Sequence, residues 1–232
     1  MNEQVHGPDW KKRLLIKALL KLVGGGVILG LALFLAAGTS RYWQAWIYLG
    51  LLYACVSFAL VHLFRKDPEL LERRLRAREK ERVQKLIQIL YTPVALGVWI
   101  LPGFDLRWHW SAVPVPVILL ADALLVASYV LFFRVMRANS FAARTVEVER
   151  GQRLITTGPY AVVRHPMYMA LIGIYFATPP ALGSFWALLA ALPLPFVLAL
   201  RIRNEEEVML RDFPEYEAYR RKTRYRLIPF VW

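Results

Sequence analysis

Residues 22–37 read LVGGGVILGLALFLAA, sixteen positions without a charge. A hydrocarbon core of about 30 Å asks for roughly 20 apolar residues at 1.5 Å per helical residue. The run reaches that length by extending N-terminally through Lys17 and Lys21, whose long side chains can snorkel to the interface. Three further runs repeat the pattern. Residues 42–64 contain His62 as a titratable group besides tyrosines and Cys55, residues 86–101 are shorter, and residues 113–133 carry one acid, Asp122. No small-residue cleavage site follows the first run, so it reads as a retained helix and not as a signal peptide.

Composition agrees. With 57% hydrophobic residues, 20% charged and a single cysteine in 232 residues, the chain is neither disordered nor a disulfide scaffold. A net charge of +13 on a soluble protein would suggest nucleic acid, but here the basic residues alternate with long apolar stretches. The expected partner is therefore the membrane lipid bilayer, with no nucleic acid, and eight Trp suit rings at a headgroup boundary.

After Arg164 the pattern changes. Residues 166–177 form a short apolar run ending in Thr178-Pro179-Pro180, and residues 184–200 return with Pro193 and Pro195 inside. Two such arms read as a helical hairpin whose prolines are accommodated by kinks and neighbouring helices. The expected fold class is all-α: a polytopic integral membrane protein with about four spanning helices plus a C-terminal membrane helical hairpin. Of the 30 Lys and Arg residues, 28 fall in alternate inter-helix segments. The positive-inside rule then makes both termini cytoplasmic, along with every polar cluster of interest. Residues 1–138 are read as the N-terminal transmembrane helices with a basic cytoplasmic loop at 65–85, and residues 139–232 as a catalytic region.

Within that loop, Asp67-Pro68-Glu69-Leu70-Leu71 places an N-cap acid before a proline at the first helical position. An amphipathic helix on anionic lipid is expected, and its basic face needs no other purpose. Asp122 costs several kcal/mol at mid-membrane depth unless paired or hydrated, so it is either functional or paired with a neighbouring helix.

The densest chemistry lies in residues 151–168, GQRLITTGPYAVVRHPMY. Gly158-Pro159 marks a turn, and Pro166 pushes His165 out of the helical region while itself opening the next helix. Arg164 and His165 therefore stand at a helix N-terminus, where backbone N–H groups, the helix dipole and a guanidinium suit a carboxylate or phosphate; lipid headgroups would be served equally well. Arg201-Ile202-Arg203-Asn204-Glu205-Glu206-Glu207 follows the last membrane arm, and its adjacent acids point to different helix faces, so at least one can turn inward. Phe213, Tyr216, Tyr219 and Tyr225 form an aromatic series around Pro214 that reads as interfacial packing.

These residues together carry a family resemblance. Asn139-Ser140-Phe141, Gly158-Pro159-Tyr160, Arg164-His165-Pro166-Met167-Tyr168, Arg201, Glu205-Glu206, Phe213, Tyr216, Tyr219 and Ile228-Pro229 resemble the isoprenylcysteine carboxyl methyltransferase family, related to the phospholipid N-methyltransferases. The resemblance is specific over residues 139–230 and weak before them, apart from the Asp67–Leu71 stretch. One departure is Pro214, where the family usually has Gly, with one residue fewer before Tyr216.

The resemblance implies a membrane enzyme using S-adenosyl-L-methionine to methylate a lipidic acceptor such as a prenylated cysteine. No Gly-rich dinucleotide fingerprint follows a strand, so a soluble Rossmann methyltransferase is excluded and the cofactor must be held by helix ends and loops. The expected cofactor-binding residues are Asn139, Tyr160, Arg164, His165, Pro166, Tyr168, Glu205 and Glu206, with no metal. Arg164 suits the cofactor carboxylate, Glu205 or Glu206 its ammonium or ribose, and Tyr160 or Tyr168 its adenine or sulfonium. Arg201 or Arg203 would orient a carboxylate acceptor, and Glu206 would become the base if the acceptor were an amine. Phospholipid or small-amine N-methylation is the alternative chemistry; a lipid-binding scaffold is the alternative class.

Overall fold

The computed structural model describes residues 9–75, 82–140 and 154–232. Phe141, residues 151–153 of the second motif and part of the 65–85 loop lie outside the described residues. Among the described residues there is no strand, and four helices are long and apolar enough to cross a membrane, as the apolar runs predict. These are α1 (Trp10–Ala37), α2 (Trp43–Lys66), α4 (Arg82–Trp108) and α5 (Val115–Ala138). The short α3 (Pro68–Leu75) joins α2 to α4.

The third span is longer than its sequence suggests. Pro93 and Pro102 stand inside α4, which runs 27 residues and not the 16 of the uncharged run. A proline removes one helical hydrogen bond, but in a bundle neighbouring groups can offset that loss.

The expected hairpin is present with different arms. α6 (Pro166–Ala181) is 16 residues long, and its end is closed by Gly183 N–H to Pro180 O at 3.0 Å and Ser184 N–H to Pro179 O at 2.9 Å. The return is not one interrupted helix. A single turn, α7 (Leu188–Ala191), is followed after Leu192-Pro193 by α8 (Leu194–Asp212), which carries the Arg201–Glu207 motif as its own continuation. α9 (Tyr216–Lys222) completes the described helices.

Close approach of backbones fixes the bundle. A Cβ at Gly173 of α6 would lie 2.2 Å from Ser128 Oγ of α5, and one at Gly103 of α4 would lie 2.8 Å from Leu33 O of α1. Only glycine lets these helices meet so closely. The core between them holds Leu33, Tyr48, Val98, Leu125, Leu182 and Leu198, with buried tyrosines tied by Tyr42 Oη to Leu182 O (2.6 Å) and Trp99 Nε1 to Tyr48 Oη (2.9 Å).

Two expectations are corrected here. α3 forms as its cap predicts, with Leu70 N–H on Asp67 Oδ1 at 2.9 Å. It is not merely laid on lipid, however: Leu70 and Leu71 are buried against Leu14, Ala18, Leu63 and Met136, because a helix with two adjacent leucines gains more from a protein groove than from the headgroup layer. Trp10 Nε1 on Glu72 (3.1 Å) and Lys21 Nζ on Leu75 O (2.6 Å) tie it to α1. Asp122 is buried, and neither carboxylate oxygen has a hydrogen-bond partner among the described residues, so pairing with a neighbouring helix is not what accommodates it.

At the far end of α6, Asp105 accepts the Ser111 N–H at 2.7 Å and the hydroxyls of Ser111 and Ser184. That knot joins the α4–α5 link to the hairpin turn, about 24 Å of helix away from His165.

Candidate active site

Three pieces of chain converge at the near end of α6. Gly158 takes a positive φ of 62° to open the 3-10 turn Gly158–Ala161, and Val162 and Val163 lead from it to Arg164. His165 has φ −124° and ψ 60°, the non-helical conformation that Pro166 enforces, and Pro166 starts α6. The C-terminal segment then pairs along this approach, with Arg164 N–H on Tyr225 O (2.9 Å) and His165 N–H on Arg226 O (2.8 Å). The N–H groups of Arg164 and His165 are thus spent within the chain, and that of Tyr168 bonds to His165 O at 3.1 Å.

Glu206 is the centre of the cluster. Its Oε1 accepts from Arg164 Nε at 2.7 Å and lies 3.4 Å from His165 Nε2 and 3.5 Å from Tyr216 Oη, while its Oε2 accepts from Arg226 Nε at 2.8 Å. The side chain is only 5% exposed. Burial raises its pKa, but hydrogen bonds from His165, Arg164 and Arg226 outweigh burial and hold the carboxyl well below the usual range. Arg164 is equally buried, and its Nη1 donates to Thr223 O (2.8 Å) and Arg224 O (2.7 Å).

One helical step away, Glu205 faces a second set. Its Oε2 is 3.5 Å from His165 Nδ1, its Oε1 accepts the Tyr168 hydroxyl and lies 3.6 Å from Arg201 Nε. Both acids therefore turn inward, in keeping with the expectation that at least one would. Burial disfavours the charged Glu205, but His165, Arg201 and Tyr168 bring its pKa below the ordinary value. His165 sits between the two carboxylates: burial lowers its pKa, and hydrogen bonds to Glu205 and Glu206 more than reverse this, so the imidazolium persists to higher pH than usual.

Arg201 donates from Nε to Tyr168 Oη at 2.7 Å. Both line a cavity of about 420 Å³ whose other walls are largely apolar, among them Ile87, Phe132, Met167 and Leu171. Among the described residues lining it, the charged groups are Arg201 and Arg74, with no carboxylate. At the other edge of the cluster, Asn139 Nδ2 is 3.3 Å from Tyr160 Oη, and Tyr160 O accepts from Tyr219 Oη at 2.8 Å.

The structure brings together Tyr160 with Asn139, and Arg164, His165, Tyr168, Arg201, Glu205 and Glu206 around the start of α6. It does not bring in Arg203, which is exposed; two residues along a helix is a 200° turn, so Arg203 points away when Arg201 points in. Pro166 is buried and acts through the backbone. The aromatic series is not an interfacial feature: Phe213, Tyr216 and Tyr219 form a small core with Leu154 and Met209. Arg226 is the residue missed. It lies 20 positions from Glu206 and two before Ile228-Pro229, and no spacing rule connects such a pair.

Residues 116–216 match the family model described as phospholipid methyltransferase. That is the family of isoprenylcysteine carboxyl methyltransferases and phospholipid methyltransferases, as the motifs indicate. The chain is 34% identical over 88 residues to the nickel-cobalt-cadmium resistance protein NccN of Alcaligenes xylosoxydans xylosoxydans, and 34% identical over 86 residues to the cobalt-zinc-cadmium resistance protein CzcN of Cupriavidus metallidurans. Each match covers 36% of this chain and 39% of the relative.

Proposed function

With residues 116–216 in the phospholipid methyltransferase family, we propose that this chain is an integral membrane methyltransferase that uses S-adenosyl-L-methionine to methylate the carboxylate of a lipidic acceptor such as a prenylated cysteine. The observation that carries this reading is the contact between Tyr168 and Arg201, which joins the charged cluster to an apolar-walled cavity. The donor set fits the cofactor. Glu205, ionised and at the inner edge of the cluster, suits an ammonium, and His165 with Tyr168 flanks it. Tyr160 and Asn139 offer a ring face and an amide at the outer edge. Bound there, S-adenosyl-L-methionine supplies a methyl group carried on a sulfonium. Arg164 and Glu206, saturated by one another and by the C-terminal segment, are positioning residues in this reading.

The state of Glu206 favours a carboxylate acceptor over an amine. A carboxylate ionised throughout the neutral range surrenders no proton before it attacks, so positioning and exclusion of water suffice. An amine needs a base, and a carboxylate held ionised by several donors is a weak one. Arg201 would orient the acceptor, on the side of the membrane that the basic segments mark as cytoplasmic. The names of the two relatives refer to metal resistance.

Incubation of the purified protein with methyl-labelled S-adenosyl-L-methionine and N-acetyl-S-farnesylcysteine tests the reading. A base-labile labelled ester is expected. A base-stable product from amine lipids alone would move the chain to N-methylation, and absence of saturable cofactor binding would leave a lipid-binding scaffold.

A further inference from the structure

A groove of about 630 Å³ runs between the end of α5 and the start of α6, and it shares no lining residue with the cavity at Tyr168 and Arg201. Leu131, Arg134 and Arg137 of α5 form one wall; Gly158, Val162, Pro166 and Met169 form the other. Arg134 and Arg137 are exposed, three residues apart and so on one helical face. Among the described residues neither enters an ion pair, and no carboxylate lines the groove. The Arg137 guanidinium stands 6.0 Å from the centre of the Phe133 ring, a contact that spends none of its N–H donors.

The apolar continuation of this face fixes the class of ligand. Leu124, Ala127, Leu131 and Arg134 follow at intervals of three, four and three residues, which keeps them on one side of α5. Leu124 and Ala127 are exposed and Leu131 is half-buried. From Arg134 to Leu124 is about 15 Å of helix, half of a hydrocarbon core of about 30 Å and so the depth of one leaflet. An inorganic anion would use the two guanidiniums alone, whereas a phosphodiester that carries an acyl chain uses both the guanidiniums and the strip below them. The ammonium of a zwitterionic head finds no carboxylate here.

We propose that this groove binds an anionic phospholipid of the surrounding bilayer, with its phosphate on Arg134 and Arg137 and one acyl chain laid along the Leu124–Leu131 face. This lipid is a bound component of the protein and not a methyl acceptor, so the inference does not depend on the methyltransferase reading. Its position matters because of what the second wall leads to. Val162 and Val163 run directly into Arg164 and His165, and Pro166 follows them. A Cβ at Gly158 would lie 3.8 Å from Ala138 Cβ, so the turn already rests on the end of α5. A lipid bridging α5 and this segment braces the approach to Arg164 and His165, because a ligand that binds the ordered form stabilises it.

Native mass spectrometry of the detergent-solubilised full chain, titrated with dioleoylphosphatidylglycerol or dioleoylphosphatidylcholine, reads the site. One phosphatidylglycerol should be held at least about tenfold more tightly than phosphatidylcholine, the scale of a charge-assisted contact. Arg134→Gln combined with Arg137→Gln should remove most of that preference, and the corresponding pair of Lys substitutions should keep part of it. The same loss of charge at the exposed Lys11 and Lys12, as Lys11→Gln with Lys12→Gln, should leave it intact. Millimolar inorganic phosphate should not release the lipid. Hydrogen exchange across residues 158–165 should slow when phosphatidylglycerol is added to the wild type, and not when it is added to the arginine double variant. Equal retention of the two lipids, a loss matched in the lysine control, release by phosphate, or exchange that the lipid leaves unchanged overturns the inference.

Discussion

Arg164 Nε lies 2.7 Å from Glu206 Oε1, with both side chains 5% exposed. Neither charge can be left alone there, since breaking a buried pair by deleting one partner costs about 3–5 kcal/mol. The rest of the Arg164 guanidinium holds the carbonyls of Thr223 and Arg224, so the pair fastens the C-terminal segment to the start of α6.

Arg164→Ala and Glu206→Gln should therefore each destabilise the protein by several kcal/mol and expose residues 223–232 to protease, before any effect on chemistry is considered. In a double-mutant cycle read by thermal unfolding, the two losses should be far from additive. Additive losses, or a C-terminus equally protected in Arg164→Ala, would show that the segment is fastened elsewhere.

His165 gives the cluster a pH dependence of defined sign. Its folded pKa is raised, so the stability it contributes is fully present below the ordinary histidine value of about 6.5 and is lost as pH rises through the folded value. Glu206 works in the opposite direction: its folded pKa is lowered, so its contribution is present above the ordinary glutamate value and is lost only in strong acid. Thermal stability should thus fall as pH rises above the ordinary histidine value and through the folded one, and His165→Gln should flatten that limb while lowering stability at pH 6. A limb unchanged in His165→Gln would assign it to another group.

Local signals were readable and long-range ones were not. Asp67 before Pro68 announced the α3 cap because the bond spans three residues, and Pro166 announced the conformation of His165 because the clash is with its immediate neighbour. The length of α4 was hidden by Pro93 and Pro102, which punctuate a sequence but not a helix already embraced by others. The docking of α3 was hidden because a basic helix with two leucines looks the same whether it meets lipid or Leu14 and Met136. Arg226 could not be found at all, since only the fold brings it beside Glu206.

The orientation argued from the basic segments has a direct readout. In a Cys55→Ser background, single cysteines at Thr39, His109, Leu75 and Tyr225 should label from two sides: the first two from outside the cell, the last two only after the membrane is opened. His109 is exposed at the α4–α5 link beside the Asp105 knot, so it reports the end of the bundle opposite His165. Labelling of His109→Cys and Tyr225→Cys from the same side would break the topology.

Arg201 and Glu205 should separate acceptor from cofactor. Arg201 reaches into the apolar-walled cavity through Tyr168, whereas Glu205 faces His165, so the two variants remove different partners from the reaction. Arg201→Gln should raise the KM for N-acetyl-S-farnesylcysteine or lower kcat/KM by about 10–100-fold, the range for a lost charge-assisted contact, and leave cofactor affinity within about threefold. Glu205→Gln should weaken the cofactor and recover much of its rate when the cofactor is saturating. With a carboxylate acceptor no proton is removed in the neutral range, so the saturated rate per folded enzyme should not climb between pH 6 and 9. A steep rise over that interval, lost in Glu206→Gln, would mean that Glu206 accepts a proton despite its four neighbours, and the acceptor would then be an amine.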